Sequence, residues 1–73
     1  GTIMYNLKQI AFEIESTSLG YAYYGNALYV AKGIPGLTQD ELALLDAWLS
    51  GRRPDSWRDL QALSNKIAAM EGQ

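Results

Sequence analysis

Leu19-Gly-Tyr-Ala-Tyr-Tyr-Gly-Asn-Ala-Leu-Tyr-Val-Ala-Lys32 is the stretch on which the fold class turns. Read as a helix over 19–32, it places Leu19, Ala22, Tyr23, Ala27 and Val30 on one side and Tyr21, Tyr24 and Leu28 on another. Ser18 then stands as its N-cap. Its end is marked by Lys32 in the last turn, Gly33 as C-cap and Pro35 just beyond. Read as a hairpin over 20–31, the same residues form two short runs, 21–24 and 27–30, around Gly25-Asn26, a dipeptide suited to a two-residue turn. Tyr and Val favour the strand, and each glycine inside a helix costs about 1 kcal/mol relative to Ala. An isolated hairpin, however, needs a third strand or a packing face. The helix is the preferred reading, which makes the chain all-α; the hairpin makes it α+β.

The C-terminal half is plainer. Thr38 and Glu41 form a capping box, in which the Thr hydroxyl accepts from the Glu41 N–H and the Glu41 carboxylate reaches back to the Thr38 N–H. Asp40 and Glu41 set negative charge in the first turn, where the helix dipole favours it. Leu42, Leu45 and Leu49, with Trp48 beside them, form an apolar face, and Gly51 stops the helix. After the polar turn Gly51-Arg52-Arg53-Pro54, Asp55 or Ser56 caps a last helix whose stripe is Trp57, Leu60, Leu63, Ile67 and Met70. These two helices, 38–50 and 55–71, are expected to pair antiparallel.

Before the deciding stretch, Ile3, Leu7, Ile10 and Ile14 recur at helical spacing, giving a helix over about 3–15. Ile10, Phe12 and Ile14 also alternate as a strand would, but the helical pattern explains more positions. Ser16-Thr17-Ser18 reads as a break, because such side chains compete for helical hydrogen bonds. The expected architecture is a compact bundle of four short helices in one small domain spanning 1–73, with residues 1–3 a possible cloning remnant before Met4.

Composition narrows the function. The chain has no Cys and no His, which removes thiolate chemistry, the commonest metal ligand and the commonest base near neutral pH. Glu13 and Glu15 do not face each other on a helix, and Asp55 and Asp59 read as capping charges. Neither a glycine fingerprint nor a P-loop is present. No enzyme, metal or cofactor is expected. No apolar run reaches the roughly 20 residues that span a bilayer, and no leader is read, so a cytoplasmic location is the simplest expectation.

Two binding readings remain. Charged residues make up only 19% of a chain in which most positions touch the surface, and all five tyrosines precede residue 30. Tyr5 with Phe12, and Tyr21 with Tyr24 and Leu28, form apolar patches behind the core stripes. They point to a protein partner or a homodimer. The texture suits a small non-enzymatic accessory or regulatory protein of a bacterium or phage. The alternative is a helix-turn-helix DNA binder in which Arg52 and Arg53 touch phosphate and Arg58, Gln61, Asn65 and Lys66 face the bases. A net charge of −2 weighs against it.

Overall fold

The computed structural model describes residues 6–52 and 57–71, and every regular element among them is a helix: α1 (Leu7–Ser18), α2 (Gly25–Ala31), α3 (Gln39–Leu49) and α4 (Trp57–Met70). The all-α reading holds. The hairpin over 20–31 does not form, and Gly25-Asn26 opens α2 instead of turning between strands.

The bounds differ at both ends of the deciding stretch. Asn6 caps α1, its side chain accepting from the Gln9 N–H at 3.1 Å, so the helix starts later than the Ile3 spacing suggests. Ile3 and Tyr5 lie outside the described residues. Ser16-Thr17-Ser18 is the last turn of α1, not a break. The Thr17 hydroxyl donates to the Glu13 carbonyl at 2.9 Å and the Ser18 hydroxyl to the Glu15 carbonyl at 2.6 Å, so the hydroxyls satisfy themselves inside the helix. Gly20 then takes φ +81°; its N–H bonds the Thr17 carbonyl and the Tyr21 N–H bonds the Ser16 carbonyl. This paired closure ends a helix firmly and requires a left-handed residue at its centre. Residues 19–24 therefore leave the helix, and the Thr17 hydroxyl accepts the Tyr24 N–H at 3.0 Å. Ser18 is no N-cap for α2. At the other end Lys32 is the C-cap, and the left-handed glycine of the linker is Gly36, not Gly33.

The capping box of α3 forms as read, with Glu41 N–H to Thr38 Oγ1 at 3.1 Å and Thr38 N–H to Glu41 Oε1 at 2.7 Å. Gly51 ends α3 at φ +81°. The proposed caps Asp55 and Ser56 fall outside the described residues.

Each helix contributes a fully buried aliphatic to one core: Ile14, Leu28, Leu45, and Leu60 with Ile67. The principal pairing is α4 on α1, not α4 on α3. These two run antiparallel. The Lys8 N–H at the start of α1 bonds Glu71 Oε2 beyond the end of α4 at 2.8 Å, while Ser18 and Leu19 line a hollow with Trp57 at the other end. Lys32–Asp46, at 2.6 Å, ties the end of α2 to α3. No helix among the described residues is long and apolar enough to cross a membrane.

Candidate functional site

Leu19 and Trp57 meet where α1 ends and α4 begins, and two further large apolar side chains, Phe12 midway along α1 and Tyr21 just past its end, are exposed. Phe12 and Leu19 stand seven residues apart, hence on one side of the α1 cylinder, and are 59% and 42% exposed. Leu19 shares its hollow with Trp57, itself 41% exposed, and the Arg58 guanidinium lies 5.2 Å from the Trp57 ring centre. Tyr21, one residue past the left-handed Gly20, is 81% exposed, more than any other large apolar residue described. The closure that ends α1 is what turns this tyrosine outward instead of continuing it round a helix.

The expected patches are thus only partly assembled. Phe12 and Tyr21 are exposed as read, and Tyr24 is at the margin of exposure where it precedes α2. Leu28 is the correction: it is fully buried in the core, because residues 19–24 are not helical and no helical side groups it with Tyr21 and Tyr24. Tyr5 is outside the described residues. Trp57 and Leu19, which their spacing assigns to core stripes, belong to the surface. Trp57 occupies the first position of α4, one turn before the first buried residue, Leu60, which is the signal that a helix-end aromatic is only half covered.

The other tyrosines are placed apart. Tyr23 folds over Gly25, where a Cβ would stand 3.1 Å from its ring, and its hydroxyl donates to the Trp48 carbonyl at 3.5 Å. Tyr29 lies beside Lys32, whose ammonium is 5.9 Å from the ring centre.

Of the alternative nucleic-acid set, Arg53 is outside the described residues, and the Arg52 Nε–H donates to the Ser50 hydroxyl at 3.2 Å. Arg58, Gln61 and Asn65 share a side of α4 by their three- and four-residue spacing. Lys66 does not join them: its ammonium is 2.7 Å from Glu41 Oε1 and donates to the Gly36 carbonyl at 3.3 Å. These contacts hold the Glu41 carboxyl below the usual carboxylate range, the Lys66 hydrogen bond contributing most and the Thr38 N–H next.

The second surface feature lies between α3 and α4. A groove of about 770 Å³ separates them, its walls lined by Ala43, Leu44 and Ala47 of α3 and Ala62 and Leu63 of α4, with Asp40, Glu41, Asp59 and Lys66 also bordering it. The two helices expected to pack face to face contact each other less than α1 and α4 do, are bridged by the Glu41–Lys66 pair, and leave this trough. Among the described residues no group of three or more Asp and Glu side chains is placed to hold a metal ion. Compared with protein-family models, curated proteins and solved structures, the chain has no match.

Proposed function

We propose that the chain is a small non-enzymatic accessory protein that acts through protein–protein contacts and associates with itself through Phe12, Leu19, Tyr21 and Trp57. The observation that supports this is their exposure along and just past α1, with Leu19 and Trp57 sharing a hollow at the end of the α1–α4 pair. Exposed aromatics in a cluster are costly to leave in water, and Tyr, Trp and Arg are the residues enriched in interfaces. Arg58 on the Trp57 ring adds a cation that can remain solvated at the rim of such a contact.

An NMR dilution series from about 1 mM to about 10 µM, a range that populates weak dimers, tests the reading residue by residue. The Trp57 indole and the amides of Phe12, Leu19 and Tyr21 should shift together, while the α3–α4 groove stays still. Spectra unchanged on dilution, or changes confined to the groove, would sink the proposal.

A further inference from the structure

The groove between α3 and α4 has the shape and charge for a different occupant. Its walls combine three alanines with two leucines, so a guest helix can bring its backbone close and still bury apolar side chains. Its volume, about 770 Å³, is that of a pocket that takes several side chains. The rim is not neutral. Lys66, the cation on its walls, is committed to Glu41 at 2.7 Å, whereas Asp40 and Asp59 are exposed and have no ion-pair partner among the described residues. Asp59 stands seven residues before Lys66 on α4, and Asp40 is beside Glu41, to which Lys66 reaches across. The two uncompensated carboxylates thus sit at opposite ends of the trough on opposite walls, roughly 10 Å apart along its axis at 1.5 Å per residue.

We infer that this groove binds an amphipathic helix of another protein, one with two basic residues seven apart that bracket apolar residues on the same side. Seven residues are two helical turns, which matches the axial separation of the carboxylates, and the long basic side chains reach outward to the two walls. A second copy of this chain fits less well, since its six bases, at 8, 32, 52, 53, 58 and 66, include no pair seven apart.

The test is the affinity of the full chain for an alanine-based, end-blocked helical peptide with lysines seven apart and leucines three and four residues after the first lysine. Fluorescence anisotropy should show it binding at least about tenfold more tightly than the same peptide with glutamates for lysines, or with the lysines five apart. Ala62→Arg, at an exposed position on the groove wall, should weaken binding by about tenfold or more, with helicity and melting retained. Should that variant misfold, Asp40→Asn with Asp59→Asn reads the same contact, at about three- to tenfold for the pair. Equal affinity for the three peptides, or no binding by any at about 1 mM, would overturn the inference. So would loss of self-association in Ala62→Arg, which would mean that a second copy fills the groove.

Discussion

The two flanks of α4 solve the same problem in opposite ways. Toward α1 the helices close, with Leu60, Ser64 and Ile67 buried, and Ser64 small enough to sit under the contact with its hydroxyl donating to the Gln61 carbonyl at 2.7 Å. Toward α3 the helices stay apart, alanines line both walls, and the rim is held by one ion pair and the loop it reaches. Burial of aliphatic area stabilises the first flank. On the second, Leu45 and Trp48 anchor α3 in the shared core, the Glu41–Lys66 pair and the capping box fix its start, and apolar surface between the helices stays accessible.

Substitutions separate the flanks by size of effect. Ile67→Ala on the closed stripe should cost about 2–5 kcal/mol, and Leu45→Ala in α3 a similar amount, measured by urea unfolding. Unchanged melting would remove either from the core. Gly20→Ala should cost about 1–2 kcal/mol, because nothing crowds a Cβ there and only the left-handed backbone resists it. Thr38→Ala should cost about 1 kcal/mol as a lost cap.

Glu41→Gln probes the rim of the open flank and should cost still less, about 0.2–1 kcal/mol at neutral pH, because the pair is partly exposed. Its signature is the pH profile. The Glu41 carboxyl is depressed in the folded state, so its contribution is complete above the ordinary carboxylate range, about pH 5, and is lost as pH falls below it. Chemical unfolding across that window should show wild type converging on the variant as the pH drops. Smallest of all, Ala62→Ser in the groove should stay within about 0.5 kcal/mol of wild type; a cost of core size there would mean the flank is closed in solution.

The same contrast explains which features are legible in the chain. The start, face and stop of α3 depend on residues within a few positions of one another, and Thr38, Glu41, Leu45, Trp48 and Gly51 all act as their types suggest. The stretch after Thr17 is harder because one hydroxyl has two local options. Thr17 bonds back into its own helix and also takes the Tyr24 N–H, which moves six residues out of helix and carries Leu28 inward. The α1–α4 pairing depends on contacts between distant parts of the chain, such as Lys8 with Glu71, which no spacing within a segment reports. The groove's alanines are visible as residues, but their separation is not.

Sedimentation equilibrium of the wild-type chain beside Phe12→Asp/Tyr21→Asp, each with and without a short duplex DNA, addresses the central claim most directly. The account predicts a concentration-dependent dimer indifferent to DNA, and a double variant that is monomeric yet melts within a few degrees of wild type. A monomer at every concentration, or a complex that forms only with DNA and weakens steeply with salt, would contradict it.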